Sequence, residues 1–140
     1  MVASILEPAR KTAFDAVRKA NPEALAYPRS WEEMVRETGQ GPLKFAVSYS
    51  GFYGPNELYR GFYEPKIATP ICHFVGSLDS VVEESRSLAF VDVCTRATKV
   101  YHPGGHFVPA GKEMVGILVG FIRECCEEKE ESVEDMDVLF

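Results

Sequence analysis

From residue 44 onward the chain alternates between strand-like and helix-like hydrophobic patterns, and this alternation narrows its fold more than any other feature. Lys44-Phe45-Ala46-Val47-Ser48-Tyr49-Ser50 reads as a strand stopped by Gly51, and Pro70-Ile71-Cys72-His73-Phe74-Val75 as a second stopped by Gly76. A helix is expected from about Val82 to Val93, then a third strand over Thr98-Lys99-Val100-Tyr101. The last helix is expected from about Ala110 to Cys126, with Met114, Ile117, Leu118, Phe121 and Ile122 on one stripe. Strand, connection, strand, helix, strand, helix predicts an α/β fold with about three parallel strands and flanking helices. In such sheets chemistry gathers beyond the carboxyl ends of the strands, and Ser50, Asp79 and His106 all fall there.

Three strands make a thin parallel sheet, since parallel sheets are usually wider and covered on both faces. The first strand would leave an apolar edge unpaired. Residues 1–6 read as the last turns of an apolar helix with no start signal before it. Residues 1–126 are therefore expected to be the carboxyl-terminal half of a larger domain, followed by an acidic disordered tail at 127–140. Two helices precede the alternation. One spans residues 8–20, with Pro8 in its first turn, and ends at Asn21-Pro22. A shorter one lies around Ser30–Thr38, where Ser30 and Glu33 have the spacing of a capping box.

Charge excludes some function classes. The net charge of −6 sits in the tail, where seven acids face one Lys129, leaving 14 residues of each sign in the body. No basic patch interleaved with aromatics points to nucleic acid. No apolar run approaches a membrane span, so a cytoplasmic chain without membrane contact is expected. The four cysteines lack any CxxC spacing. Cys72 and Cys94 read as core residues, and the adjacent Cys125 and Cys126 suit neither a disulfide framework nor a metal cage. His102 and His106 are separated by Pro-Gly-Gly, which breaks the helical spacing of zinc enzymes, and His73 points away from its neighbour Cys72. No metal or other cofactor is expected.

Asp79 follows Gly76-Ser77-Leu78, and His106 stands in His102-Pro103-Gly104-Gly105-His106-Phe107-Val108-Pro109. An acid after one strand and a histidine after the next are the last two members of the order Ser…Asp…His. Pro103-Gly104-Gly105 supplies a turn that would project His106 into a cleft. The competing assignment makes Asp79 a cap for the helix near Val82 and His106 a surface loop residue. No Gly-x-Ser-x-Gly occurs in the 140 residues. Ser50 lacks the first glycine of such an elbow and a following helix, so it is expected to be a polar lining residue of the site. Phe52, Tyr53, Tyr59, Phe62 and Tyr63 either pack over the sheet or form an apolar lip for an acyl chain, and Phe107 and Val108 would join either surface.

The strings Ser50-Gly51-Phe52, Glu64-Pro65-Lys66-Ile67-Ala68-Thr69-Pro70, Gly76-Ser77-Leu78-Asp79-Ser80-Val81-Val82 and His102–Pro109 resemble the fungal FSH-type serine hydrolase family. That family includes esterases and thioesterases of polyketide gene clusters. The resemblance covers about residues 44–122. It implies a partial α/β-hydrolase fold, with Asp79 as triad acid and His106 as triad base. It also implies a nucleophile elbow just before residues 1–6 and oxyanion donors in the family's amino-terminal half.

Two functions follow as expectations. One is hydrolysis of a carboxylic ester or an acyl or polyketide thioester, the acyl group free or carried on a protein, with serine supplied from elsewhere. The other is a non-catalytic relative, a pseudoenzyme or binding module. Self-association through the exposed strand edge is expected in either case.

Overall fold

Three runs rich in branched and aromatic residues form the sheet. The computed structural model describes residues 1–137, with side chains described through Glu127. In it β1 (Ala46–Tyr49), β2 (Ile71–Gly76) and β3 (Ala97–His102) make one parallel sheet in the order β1-β2-β3. Ala46 lies opposite Ile71, Ile71 opposite Ala97, and Gly76 opposite His102, so β2 and β3 end at the same level. Every residue of the central strand β2 is buried, as a strand covered on both faces requires. The outer edge of β1 has no strand partner among the described residues.

Alternation along β2 divides the core in two. Ile71 faces a cluster with Ile5, Phe14, Phe62, Tyr63, Ile67 and Cys94. Cys72 and Phe74 face Val100 and Phe121, with Met114, Leu118 and Ile122 packed alongside. Phe14 comes from α2 (Arg10–Ala20), which follows the short α1 (Val2–Ile5). Its ring meets Phe62 edge-on at 4.9 Å and Tyr27 at 5.8 Å. Burying it contributes about 2 kcal/mol. Arg10, also buried, donates to the carbonyls of Gly61 and Pro65 and pairs with Glu7, tying α2 to the connection between β1 and β2.

Several local expectations need correction. Pro8 lies ahead of α2, whose N-cap is Ala9. α3 (Arg29–Thr38) begins one residue before Ser30, with Pro28 as N-cap and no side-chain cap. The Pro28 carbonyl accepts from the amides of Trp31 and Glu32, so the helix is already closed before Ser30 can act. Of the aromatic group, Phe62 and Tyr63 are buried, and Tyr53 and Tyr59 pack against the same cluster; only Phe52 is exposed. α4 (Glu84–Asp92) starts two residues later than expected. α5 (Lys112–Asp137) carries Met114, Leu118, Phe121 and Ile122 onto the sheet but leaves Ile117 exposed. Its backbone continues through Cys126 to Asp137, taking in most of the acidic segment; residues 138–140 lie outside the described residues. Glu and Lys are good helix formers, which favours that continuation.

Among the described residues no helix is long and apolar enough to cross a membrane. None of them forms a cluster of His, Cys, Asp and Glu fit to hold a metal ion. None of the four cysteines forms a disulfide.

Candidate active site

The site is built where β2 and β3 end side by side. Past Gly76 and His102 the two chains turn toward each other, and the Ser77 amide donates to the His102 carbonyl at 3.0 Å. The Leu78 amide donates to Gly104 at 3.0 Å, and the Asp79 amide closes a turn onto Gly76 at 3.2 Å. A Cβ on Gly76 would lie 2.6 Å from the Gly105 carbonyl oxygen and 2.7 Å from that of Gly104. Only glycine lets the two loops meet so closely. The glycine that stops β2 is thus what brings the acid's loop to the base's loop.

Across that junction Oδ2 of Asp79 stands 3.0 Å from Nδ1 of His106. The other oxygen, Oδ1, accepts from the amides of Val81 at 2.8 Å and Val82 at 2.9 Å. The Asp79 side chain is 3% exposed and that of His106 is 45% exposed. The Val82 amide, foremost, with His106, the Val81 amide and the Ser50 hydroxyl hold the Asp79 carboxyl well below the usual carboxylate range, outweighing its desolvation. A carboxylate facing Nδ1 places the ring proton there and leaves the Nε2 lone pair for chemistry. The acid is buried and fixed, and the base is fixed yet reachable. Capping also contributes, in altered form. The helix N-cap is Glu83, while Asp79 closes the turn ahead of it with one oxygen and keeps the second for His106.

Ser50 lies one residue past β1 with a left-handed backbone, φ 51°. It is 7% exposed and its hydroxyl oxygen is buried. Phe52, Phe107 and Val108 are exposed, as a rim would be, and Phe52 lies under the Arg86 guanidinium at 4.2 Å.

Sequence reasoning missed Leu78 and Val81, exposed apolar residues flanking Asp79; two large apolar side chains in a loop were the available signal. It also missed His102 as the loop's buried footing, its ring edge-on to Phe107 at 5.3 Å. His73 is buried against Phe90, and desolvation lowers its pKa to about 4, so it is a neutral core residue.

A cavity of about 500 Å³ lies elsewhere, among Glu7, Lys44, Thr69, Pro70 and Arg96. These residues precede the strands, so it opens at the end of the sheet opposite to Asp79 and His106.

Residues 24–117 match the family model described as Serine hydrolase (FSH1). The chain is 38% identical over 86 residues to Family of serine hydrolases 3 of Saccharomyces cerevisiae, covering 60% of this chain and 32% of that protein. It is 36% identical over 81 residues to an esterase of Aedes aegypti, covering 58% of this chain and 30% of that one. A Schizosaccharomyces pombe protein named dihydrofolate reductase is 40% identical over 68 residues, 49% of this chain and 15% of that protein. The chain spans a third or less of the length of these relatives. No solved structure matches it significantly.

Proposed function

The chain belongs to the FSH1 serine hydrolase family, and from that premise we propose that Asp79 and His106 are the acid and base of a carboxylic ester or acyl thioester hydrolase. The observation that carries this reading is the buried carboxylate 3.0 Å from Nδ1 of a half-exposed imidazole, on adjacent loops past parallel strands. Nε2 of His106 takes the proton of a serine hydroxyl as its oxygen attacks the acyl carbon. The same proton then goes to the leaving alcohol or thiol as that bond breaks. Water, deprotonated by the same nitrogen, releases the carboxylic acid and frees the serine. Asp79 stays ionised and holds the imidazolium that forms in each half. The exposed Phe52, Leu78, Val81, Phe107 and Val108 suit an apolar acyl group such as a polyketide, free or carried on a protein.

No Gly-x-Ser-x-Gly occurs in the 140 residues, so the serine and the oxyanion donors are assigned to polypeptide outside them. The direct test grafts residues 44–122 into the matching part of the S. cerevisiae relative and measures hydrolysis of p-nitrophenyl esters and acyl thioesters. The chimera is expected to turn over, Asp79→Asn to cost roughly 10⁴-fold and His106→Ala about 10⁶-fold. A folded, active chimera indifferent to both substitutions refutes the assignment.

A second reading is a non-catalytic relative, a pseudoenzyme or binding module. Under both readings the 140-residue chain alone leaves a fluorophosphonate probe unreacted. Labelling abolished by His106→Ala would place a nucleophile inside these residues and reject both.

A further inference from the structure

A cation without a partner stands at the same end of the sheet as Asp79 and His106. Arg86 lies in the first turn of α4, and its guanidinium rests over the Phe52 ring at 4.2 Å. Both side chains are exposed. Two hydrogen bonds fasten the segments that carry them. The Tyr53 amide donates to the Arg86 carbonyl at 3.2 Å, and the Ser87 hydroxyl to the Gly51 carbonyl at 2.8 Å. The loop leaving β1 is thus clamped to α4 at the carboxyl end of the sheet, where the Ser50 amide continues the ladder onto the Phe74 carbonyl. On its other side α4 follows the turn that Asp79 closes with the Val81 and Val82 amides. The guanidinium itself makes no hydrogen bond and no ion pair among the described residues. Nearby acids are otherwise engaged or do not reach it: Glu84 accepts from the Tyr101 hydroxyl at 2.8 Å, and Glu83 offers Arg86 only its carbonyl, to the backbone amide. Arg10, Arg18 and Arg60, by contrast, all donate to carbonyls or carboxylates.

We propose that Arg86, held over Phe52, binds an oxyanion of the substrate, so that the site selects acyl substrates bearing a carboxylate or phosphate over neutral ones of equal length. Its part in substrate choice rests on the reading of Asp79 and His106 as acid and base. A guanidinium presents a planar fork of N–H donors that fits two oxygens of a carboxylate or phosphate at once. The ring beneath it restrains the fork before any ligand arrives, which lowers the cost of ordering it on binding. The exposed Leu78, Val81, Phe107 and Val108 at this end of the sheet suit hydrocarbon, and Arg86 adds a charge that hydrocarbon alone does not need. The acid group belongs to the acyl chain or to the leaving group; to Arg86 the chemistry is the same.

Binding is measured on the 140-residue chain with octanoate, octyl phosphate and octanol, followed through the Nε signal of Arg86 and the ring signals of Phe52. Both anions are expected to bind about tenfold tighter than octanol and to move both sets of signals. Arg86→Gln, an exposed change that leaves the thermal midpoint in place, removes that advantage and spares octanol. Phe52→Leu keeps apolar bulk without the ring and cuts the advantage to about threefold. Equal binding of anions and octanol, or an anion preference that survives Arg86→Gln, overturns the proposal. The active chimera then identifies the source of the acid group. One comparison sets a p-nitrophenyl half-ester of a dicarboxylic acid against the neutral ester of equal length. The other sets an acyl thioester of a phosphate-bearing thiol against that of a neutral thiol. The comparison whose KM ratio collapses in Arg86→Gln, with kcat kept, names the source; if neither collapses, Arg86 has no part in substrate choice and the proposal is overturned. Asp79→Asn separates this result from its premise. If it shifts the ring-nitrogen signals of His106 while Arg86→Gln changes nothing, the pair stands and the role of Arg86 falls. If it leaves His106 unchanged, the acid–base reading fails and the selecting role with it, whatever the anions do.

Discussion

The two ends of the same three strands each hold a carboxylate, and the two are used differently. At the amino end Glu7 spends both oxygens on the framework. It accepts from the Ala68 amide at 3.0 Å, from Thr69, and from the buried Arg10 guanidinium at 3.3 Å. At the carboxyl end Asp79 gives one oxygen to backbone amides and turns the other to an imidazole that solvent can reach. A cavity of about 500 Å³ lies beside Glu7, yet no histidine lines it. What sets the two ends apart is the exposed imidazole at one of them, not the volume of the opening or the number of hydrogen bonds.

If the contrast is right, Glu7→Ala should damage the fold and spare the pair. The substitution strands a guanidinium that is 1% exposed, and removing one partner of a buried pair costs about 3 kcal/mol. Urea unfolding followed through the single Trp31 should show that loss, with the ring-nitrogen shifts of His106 unchanged. Coupled loss of the His106 signature would show that the two ends are not separable. Gly76→Ala should do the reverse. Its added carbon meets backbone oxygens of Gly104 and Gly105, which cannot swing aside, so about 2 kcal/mol is expected along with loss of the Asp79–His106 contact. An intact contact in that variant would mean that the loops meet by some other device.

Much of this contrast could be read in the sequence, and the exceptions share a cause. The meeting of Asp79 and His106 was legible because it follows from order and local punctuation: a strand, a glycine, an aspartate, then a strand, two glycines, a histidine. The three parallel strands were legible for the same reason. What failed depended on partners far along the chain or on which of two signals acts first. The aromatics from Tyr53 to Tyr63 became core because Phe14, about 40 residues earlier, packs against them, and no local pattern announces that. Ser30 lost its capping role to Pro28, whose carbonyl already receives the first amides. The burial of Ser50 at 7% exposure, with its unusual backbone angle, likewise has no local signal in the sequence.

A pH scan tests a third site against the same contrast. His73 is buried with its pKa lowered to about 4, whereas the unfolded chain takes up that proton near the ordinary value of about 6.5. The unfolded state therefore binds the proton first. The stability from keeping His73 neutral is complete above about pH 6.5 and is lost as pH falls toward 4. Between about pH 7 and 5.5 the loss should be about 1 kcal/mol, and His73→Leu should remove that dependence. Asp79 acts in the same direction, as its folded pKa is also lowered, but in a separate, more acidic window. Its lowered pKa contributes stability above the ordinary carboxylate range, lost only on further acidification below it. A decline between pH 7 and 5.5 that survives His73→Leu would implicate another group.

The smallest effect separates the two glycines of the junction. A Cβ on Gly104 would lie 2.2 Å from the tip of the Phe107 ring and 3.0 Å from Nδ1 of the buried His102, so its closest obstacle is an exposed side chain and not backbone. The ring can turn out toward solvent, giving up its edge contact with His102. Gly104→Ala is therefore expected to cost only about 0.5 kcal/mol, several-fold less than Gly76→Ala. Phe107→Ala alone should cost a similar amount through the lost ring contact. The double variant should cost less than the sum of the two, because the alanine then enters space the ring has vacated. Strict additivity in that cycle, measured by urea unfolding, would mean that Gly104 is held by its backbone conformation. The two glycines would then be alike, and the contrast between a fixed junction at Gly76 and an adaptable rim at Phe107 would be lost.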